Sequence, residues 1–306
     1  MIYHFYPIDR PMIWGAEQWI LSAYPGRDST CVETGTNIWH MLCEQKERLV
    51  GKHVFARYGD TFPLLIKFID ARDDLSIQVH PSDAVAKKYN LPFGKTEMWY
   101  VLPSSDDARL YCGLKQQLTP EEYRQMVADK TIISALAAYN VKDGDCFFIP
   151  AGRIHAICSG SQICEIQQTS DTTFRIYDYD RVDKDGNHRE LHTEKAAESI
   201  DFRVQPDYQT HYQPRKNEPV NLITCPYFTT NILQIDAPVT RDYSSLDSFV
   251  TLICVEGEGV LTEYGDGQTT DYPFHQGELL LLPASDNAPV QLSGNFRALE
   301  VYIEQD

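Results

Sequence analysis

Short apolar runs separated by turn-forming residues are the dominant pattern along the chain. The runs are rich in Val, Ile, Leu, Phe and Tyr, and Gly, Pro, Asp or Ser separates many of them, as is typical of short β-strands. The predicted strands are Pro63–Ile69, Ser76–His80, Glu97–Leu102, Asp145–Ile149, Gln162–Gln168, Phe249–Val255, Glu278–Leu282 and Arg297–Ile303. The pattern therefore predicts a mainly β fold.

Helical signals are few, and the clearest one begins at Thr119. Its hydroxyl can cap a helix that has Pro120 at its first position, and a glutamate two residues further on completes a capping box. We expect this helix to extend to about Ala138 with a break near Thr131, within a small helical insertion at about 117–139. Shorter helix candidates are Ala16–Ser22, Asp83–Tyr89 and Thr193–Ser199.

Two segments of the chain resemble each other without gaps. Residues 144–157 align with residues 277–290, and each has a Gly-acidic turn, an apolar strand and then Pro-Ala. The similarity predicts two β-barrels, in which His155 of the first aligns with Ala288 of the second. A coincidental match stays open as an alternative, because turn–strand–turn segments recur in any β protein.

The repeat also suggests how the chain is divided. We expect an N-terminal domain at 1–182, which contains the candidate metal ligands, and a C-terminal domain at 229–306 without them. The intervening residues 183–228 have few apolar runs and several charges and prolines, as expected of a connection between domains.

Charge and composition narrow the class of partner. The chain has 306 residues and a net charge of -17, which opposes binding to a polyanion because nucleic-acid affinity depends on basic side chains. We therefore expect no nucleic-acid partner. A small phosphorylated metabolite stays open, since a few cations in a cleft can outweigh a distant negative surface.

No targeting or membrane signal is evident. The first 20 residues lack the basic-then-apolar layout of a signal peptide, and the sequence has no apolar run long enough to span a bilayer. The 8 cysteines are scattered without a CxxC pair, so we expect reduced thiols in a cytoplasmic protein.

Candidate metal ligands occur at strand positions of the first predicted barrel. Ser76, Gln78 and His80 are two residues apart and point to one face of a strand, although that face could simply be the solvated side. Glu97 and His155 add a carboxylate and an imidazole at the ends of other strands. Nitrogen and oxygen donors of this kind suit zinc or another divalent first-row metal ion.

These residues lie in motifs that together resemble one family. Ser-Ile-Gln-Val-His-Pro at 76–81, Gly-Lys-Thr-Glu-Met-Trp-Tyr at 94–100 and Ile-Pro-Ala-Gly-Arg-Ile-His-Ala at 149–156 are similar to the type I mannose-6-phosphate isomerases, in their short bacterial form. Pro-Met-Ile-Trp-Gly at 11–15 and Leu-His-Thr-Glu-Lys-Ala-Ala at 191–197 resemble the family as well. The resemblance implies two cupin-type (jelly-roll) barrels and a zinc-dependent aldose-ketose isomerase of carbohydrate metabolism, acting on mannose 6-phosphate and fructose 6-phosphate through a cis-enediol.

The resemblance also assigns roles to residues. It implies one Zn²⁺ per chain, held by Gln78, His80, Glu97 and His155. The implied catalytic residues are Arg175, Lys95, Asp171 and Glu165, and the implied phosphate-binding residues are Ser76, Lys67 and Arg181.

Four alternatives stay open at this point. Arg175 and Asp171 could form a structural ion pair, and Lys67 or Arg181 could be a surface charge. The protein could instead be an iron-dependent cupin dioxygenase, although Gln78 argues against a histidine-rich shell. It could also be a cupin that binds sugar without turnover. The sequence leaves the oligomeric state, the proton-transferring base and the selectivity among sugar phosphates open.

Overall fold

The computed structural model describes residues 1–182, 185–265, 268–286 and 288–305. Among these residues β-strands are much more extensive than helices, so the predicted mainly β class is confirmed. The strands are β1 Tyr3–Tyr6, β2 Ile8–Met12, β3 Gly15–Leu21, β4 Ala23–Tyr24, β5 Arg27–Asp28, β6 Thr30–Cys31, β7 Leu64–Ala71, β8 Ile77–Val79, β9 Glu97–Val101, β10 Arg109–Leu114, β11 Leu136–Asn140, β12 Cys146–Ile149, β13 His155–Ile157, β14 Gln162–Gln168, β15 Phe174–Tyr177, β16 Gln209–Thr210, β17 Pro219–Cys225, β18 Phe228–Ile235, β19 Val239–Arg241, β20 Val250–Gly265, β21 Gln268–His275, β22 Leu279–Leu282 and β23 Val290–Tyr302. The α-helices are α1 Ile38–Gln45, α2 Glu47–Val50, α3 Lys52–Tyr58, α4 Asp83–Lys88, α5 Pro120–Ala128 and α6 Thr193–Ser199, and 3₁₀ turns occur at Ile132–Ala135 and Ala284–Asp286.

The chain forms two compact units that are interleaved in sequence. The first unit contains residues 1–8, 19–66 and 211 onward, and the second contains residues 9–18 and 67–210. These units do not coincide with the continuous segments 1–182, 183–228 and 229–306, so the domain division from sequence stays a prediction. Residues 183, 184, 266, 267, 287 and 306, which fall within those predicted segments, lie outside the described residues.

The first unit is built on an antiparallel sheet with the strand order β17-β18-β23-β20-β22-β1-β6, to which β19 and β21 add through β23 and β20. Its apolar core is formed by alternate residues of the central strands, such as Leu252 on β20 and Leu280 on β22, which are register partners. Helices α1–α3 belong to this unit, and Asp247 caps α3 by accepting hydrogen bonds from the backbone of Lys52 and His53.

The second unit contains two antiparallel sheets. One has the order β11-β10-β13-β8-β15, and the other has the order β16-β12-β9-β14-β7-β3-β2, with the boundary between the units falling within β2, β3 and β7. Side chains of both sheets, including Leu110, Trp99 and Phe147, form one apolar core between them. The opposite face of the five-stranded sheet is covered by α5 and α6, which pack Tyr123 and Ala196 against Ile77 and Val79.

Several helix predictions can be compared with the structure. The segments at Asp83–Tyr89 and Thr193–Ser199 are helical as predicted, within one residue, and the capping box of α5 at Thr119 is confirmed. The prediction for Ala16–Ser22 is wrong, because most of this segment is strand β3. Helix α5 is also shorter than predicted, since residues 136–140 form β11 and pair with β10 instead of continuing the helix.

The internal repeat has a local structural counterpart. Gly144 and Gly277 both have positive φ angles, of 87° and 91°, which a glycine adopts without strain. A buried four-residue strand follows each glycine, β12 in one case and β22 in the other. His155 begins strand β13, whereas the aligned Ala288 precedes β23 and lies outside a strand.

No helix in the described ranges is both long enough and apolar enough to cross a membrane. All 8 cysteines are free thiols, as expected from their spacing.

Candidate metal centre

The inward-facing side chains of the second unit change from apolar to polar along each strand. Next to the apolar core, Ile69, Trp99 and Ile157 face the space between the two sheets. Side chains alternate along a strand, so the residue two positions away faces the same space. Those positions are occupied by Lys67 on β7, Glu97 on β9 and His155 on β13.

Strand β8 completes this polar end of the core. Its Ile77 and Val79 pack toward the helices, which turns Ser76, Gln78 and His80 toward the other sheet. Ser76 and His80 are buried and Gln78 is half-buried, so this face is not the solvated side of the strand. The alternation in sequence was therefore a correct signal, and the solvated-face alternative is wrong.

Three buried side chains converge as a potential metal site. One ligand atom each from His80, Glu97 and His155 lies within 4.8 Å of the others, and all three residues are about 1% exposed. Glu97 Oε2 is 3.3 Å from His80 Nε2, and Glu97 Oε1 is 3.4 Å from His155 Nε2. His80 Nε2 has no hydrogen-bond partner in the part of the chain that the structure describes, and Glu97 Oε2 has only an ion-pair contact with Lys95 beside its contact with His80. Buried polar atoms without partners are costly, and a bound cation would satisfy both atoms.

Hydrogen bonds orient both imidazole rings so that their Nε2 atoms can bind a metal ion. Nδ1 of His80 lies 2.9 Å from the carbonyl oxygen of Thr172, and Nδ1 of His155 lies 2.8 Å from that of Arg153. A carbonyl oxygen can only accept, so Nδ1 carries the proton in each ring and the Nε2 lone pair faces Glu97.

The charge states of the cluster suit metal binding. Burial, followed by the charge of Lys95, lowers the pKa of His80 to about 4, and burial lowers the pKa of His155 as well. Burial opposes ionisation of Glu97, but Lys95 and His80 outweigh it and hold the pKa of this carboxyl well below its usual range. At neutral pH the site therefore offers two neutral imidazoles and one carboxylate, the forms in which these groups bind metals.

Gln78 adjoins this cluster without being one of its three converging groups. Its amide nitrogen lies 3.3 Å from Nε2 of His155, and its amide oxygen accepts a hydrogen bond from Ser76. Ladder pairing explains the proximity, because Gln78 is the direct register partner of His155 on one side and of Arg175 on the other.

A chain of alternating charges extends from the metal cluster. Lys95 Nζ lies 3.0 Å from Glu97 and 3.8 Å from Glu165, and Lys67 Nζ lies 3.0 Å from Glu165 and 3.4 Å from Glu17. Burial disfavours the charged form of Lys67, but Glu165 and Glu17 reverse the effect and raise its pKa. Trp99 donates its indole N–H to the second oxygen of Glu165 over 2.9 Å, which fixes the orientation of that carboxylate.

These groups open onto a cavity of about 290 Å³ in the second unit. Most of the predicted catalytic and substrate-binding residues line it, namely Lys67, Ser76, Lys95, Glu165, Asp171 and Arg175. The structure therefore brings these predicted residues together beside the metal cluster.

Arg175 and Asp171 do not form the structural ion pair that the sequence left open. Asp171 lies 3.6 Å from Arg10, whereas Arg175 donates to the backbone carbonyl of Glu190 over 2.9 Å. Within the described residues no carboxylate lies within 4.0 Å of the Arg175 guanidinium. Burial and the charge of Arg189 lower the pKa of Arg175.

Arg181, a predicted phosphate-binding residue, is not among the residues that line the cavity. Its guanidinium donates to Asp73, to the backbone oxygen of Asp74 and to Asp178 over 3.1, 2.5 and 3.2 Å. These acceptors use donors of NH1 and NH2, whereas Nε is buried without a hydrogen-bond partner in the described residues, so the phosphate role of Arg181 stays a prediction.

Sequence reasoning missed several residues of the cavity wall: Arg10, Trp14, Glu17, Arg189 and His192. Trp14 and His192 lie inside motifs that had been recognised as family-like, and Arg189 lies just before one of them. That proximity was the available signal. Arg10 and Glu17 gave none, because only the pairing of distant strands brings them to the cavity.

The chain is similar to known proteins along most of its length. Residues 6–115 match a family profile described as phosphomannose isomerase type I, catalytic domain, and residues 219–303 match mannose-6-phosphate isomerase, cupin domain. The chain is 35% identical to mannose-6-phosphate isomerase ManA of Bacillus subtilis over 299 residues, which cover 91% of this chain and 92% of that protein.

Solved structures show the same similarity. The crystal structure of mannose 6-phosphate isomerase from Bacillus subtilis matches with a TM-score of 0.87 and 28% identity, covering 99% of both chains. A structure described as mannose 6-phosphate isomerase, holo and zinc bound, matches with a TM-score of 0.79 over 99% of this chain and 100% of that one. Its identity is 17%, so that likeness concerns the fold alone.

Proposed function

The chain belongs to the type I mannose-6-phosphate isomerase family, and on this premise we propose that it interconverts mannose 6-phosphate and fructose 6-phosphate with one zinc ion per chain. The observation that carries the proposal is the buried His80, Glu97 and His155 cluster beside a cavity lined by further ionisable groups. A protein that only bound sugar would have no need for several proton-transfer groups beside a metal site.

In this proposal His80, Glu97 and His155 hold the metal, and Gln78 supplies a fourth donor. The donor atom of an amide toward a cation is its oxygen, so binding by Gln78 requires its amide to turn toward His155 and to release Ser76. When bound, zinc supplies a Lewis acid that polarises the sugar carbonyl without redox chemistry.

The isomerisation moves a proton between C1 and C2 of the sugar through a cis-enediol. Negative charge develops on the oxygens of C1 and C2, and Lys95 and Arg175 are the cations placed to stabilise it. Lys95 is held by Glu97 over 3.0 Å, so its ammonium group is fixed before substrate binds.

A carboxylate is needed to remove the proton from carbon, and two of them line the cavity. Glu165 is buried and oriented by Trp99 and Lys67, whereas Asp171 is about one-third exposed and lies near Arg10. We assign the proton transfer to one of this pair and the orientation of the catalytic groups to the other. Comparison of Glu165→Gln with Asp171→Asn decides the assignment, because loss of the base lowers kcat far more than loss of an orienting group.

The proposal includes a second cupin barrel at about 229–306, serving as a partner without metal ligands, and a catalytic barrel within 1–182. The matching positive φ angles of Gly144 and Gly277 and the cupin-domain profile at 219–303 support it. The alignment of Ala288 with His155 supports the absence of a ligand at that position of the second barrel.

The test is a coupled assay for fructose 6-phosphate formed from mannose 6-phosphate, before and after treatment with a chelator, together with metal analysis of the purified protein. We expect turnover that is lost on chelation and restored by zinc, with one zinc ion per chain. Arg175→Ala should keep its zinc and lose turnover. A protein that contains zinc but forms no fructose 6-phosphate would contradict the proposal and favour the sugar-binding alternative.

A further inference from the structure

The cavity wall contains a cation whose charge no carboxylate neutralises at close range. Arg175 has no carboxylate within 4.0 Å among the described residues, and its Nε is buried without a hydrogen-bond partner there. Its NH1 donates only to the backbone oxygen of Glu190. Arg175 is half-buried, so its charge is only partly solvated, and an anionic group in the cavity would compensate it.

A second arginine lines the same cavity and is held rigidly. Asp178, which is 5% exposed, accepts hydrogen bonds from Nε and NH2 of Arg189 over 2.7 and 2.5 Å. These bonds use one edge of the planar guanidinium. In the described part of the chain NH1 of Arg189 makes no hydrogen bond, so the other edge of the group keeps donors for a ligand.

The two neighbouring positive charges of Arg175 and Arg189 indicate that the ligand is an anion. The charge of Arg189 acts on Arg175, and the two guanidiniums repel each other unless an anion binds between or beside them. The dianionic phosphate of a sugar phosphate offers three acceptor oxygens, which suits planar arginine donors better than a single carboxylate would.

We propose that Arg189, oriented by Asp178 and next to Arg175 in the cavity wall, binds the phosphate group of the substrate, and that Arg189 determines the preference for phosphorylated over free sugar. The inference rests on the proposed function, because it places the phosphate of mannose 6-phosphate in the same cavity. It places the phosphate at Arg189 rather than at Arg181, because Arg181 is not among the residues that line the cavity and donates to Asp73, Asp74 and Asp178.

The test compares Arg189→Gln and Arg189→Lys with the wild-type full-length protein containing its zinc. For Arg189→Gln we expect KM for mannose 6-phosphate to rise about 10- to 100-fold, the effect of losing charge-assisted hydrogen bonds, while kcat stays within about threefold. The KM of Arg189→Lys should lie between those of the wild-type protein and Arg189→Gln, because lysine keeps the charge and lacks the planar guanidinium. A general structural defect would lower kcat and zinc content as well.

Two further variants make the comparison specific. Arg203→Gln removes an equivalent charge from an exposed arginine that pairs with Asp201, and it should leave KM unchanged. Asp178→Asn should raise KM in the same direction as Arg189→Gln, because it releases the guanidinium that Asp178 orients.

Binding is also measured without turnover, by calorimetric titration with a pre-equilibrated mixture of mannose 6-phosphate and fructose 6-phosphate, and with inorganic phosphate. If Arg189→Gln binds both the sugar phosphates and inorganic phosphate more weakly, the inference is supported even if the wild-type protein proves not to be an isomerase. The measurement therefore distinguishes failure of this inference from failure of the proposed function. The inference is overturned if Arg189→Gln keeps wild-type KM and affinity, or if Arg181→Gln raises KM while Arg189→Gln does not.

Discussion

Glu97 faces both histidines of the metal cluster, with one oxygen toward each ring. Glu97→Gln keeps the size of the side chain and removes its charge. We therefore expect zinc affinity to fall more than about 100-fold, since loss of even an outer-shell partner costs 10- to 100-fold in other metal sites. Zinc content after dialysis and competition with a chelator measure the effect.

The matched control for that variant is Glu121→Gln, which removes a carboxylate whose side chain is 81% exposed on helix α5. It should bind zinc as the wild-type protein does. Wild-type zinc affinity in Glu97→Gln would instead show that the convergence of His80, Glu97 and His155 is structural.

His80 gives the metal-free protein a pH-dependent stability. Its pKa falls from 6.5 to about 4 on folding, first because of burial and then because of the charge of Lys95. Between these values the unfolded chain binds the proton more tightly, so the free energy of unfolding is highest above pH 6.5 and decreases as the pH falls toward 4. At about 1.4 kcal/mol per pH unit, the loss from this group reaches roughly 3 kcal/mol.

Urea unfolding of chelator-treated protein at several pH values measures this loss. His80→Gln should show a shallower decrease between pH 6.5 and 4, whereas His275→Gln, which changes an exposed histidine, should keep the wild-type slope. Equal slopes in wild-type protein and His80→Gln would mean that His80 is not held neutral by its surroundings.

At the residue scale, the sequence predicted those features of the site that depend on local sequence patterns. Alternation on β8 correctly predicted that Ser76, Gln78 and His80 share a buried face. It could not predict Arg10 and Glu17, because their place in the cavity depends on the pairing of strands that are distant in sequence. The same limitation applies to Arg181, which donates to Asp73 and Asp178 and is not among the residues that line the cavity.

In the second unit, the loop before α4 passes very close to the backbone of Gly94. The loop before α4 passes so near that a methyl group at Gly94 would lie 2.5 Å from the backbone nitrogen of Asp83 and 2.8 Å from the oxygen of Pro81. Gly94→Ala should push this loop away from the start of β9 and thereby separate His80 from Glu97. We expect a loss of more than about 2 kcal/mol in stability and weaker zinc binding.

Thermal unfolding and zinc titration measure both effects. Gly265→Ala is the control, because a methyl group there meets nothing within 4 Å. If Gly94→Ala has wild-type zinc affinity, the position of this loop does not determine the geometry of the metal cluster.

At the element scale, short strands with apolar positions were predictable, and β14 has the predicted bounds, Gln162–Gln168. Segment 16–22 was misassigned because its short apolar run has no clear period, and strand pairing rather than local propensity determines its structure. Helices α1–α3 were missed for a related reason: each is only 4 to 8 residues long, which is too short for a clear helical period.

At the scale of the whole molecule, the chain passes between the two compact units at residues 8–9, 18–19, 66–67 and 210–211. Three of these passages fall within single strands, β2, β3 and β7, where no turn marks a boundary. Sequence reasoning searches for linkers, so it predicted continuous domains. All the candidate metal, catalytic and phosphate residues nevertheless belong to the second unit.

The first unit has a buried ionic cluster of its own, which allows its stability to be changed separately from the metal site. Glu300 is fully buried, and Arg241 donates to both of its oxygens over 2.9 and 3.0 Å, with further hydrogen bonds from Tyr243 and Asn231. Arg241→Gln leaves this carboxylate without its cation, and we expect a loss of about 2–4 kcal/mol in the free energy of unfolding. Lys216→Gln, which breaks an exposed pair with Asp236, should cost less than about 1 kcal/mol.

Because every candidate metal ligand lies in the second unit, zinc bound per folded chain should stay at the wild-type value in both variants. Loss of zinc from folded Arg241→Gln protein, measured by metal analysis beside urea unfolding, would show instead that the metal site depends on the core of the first unit.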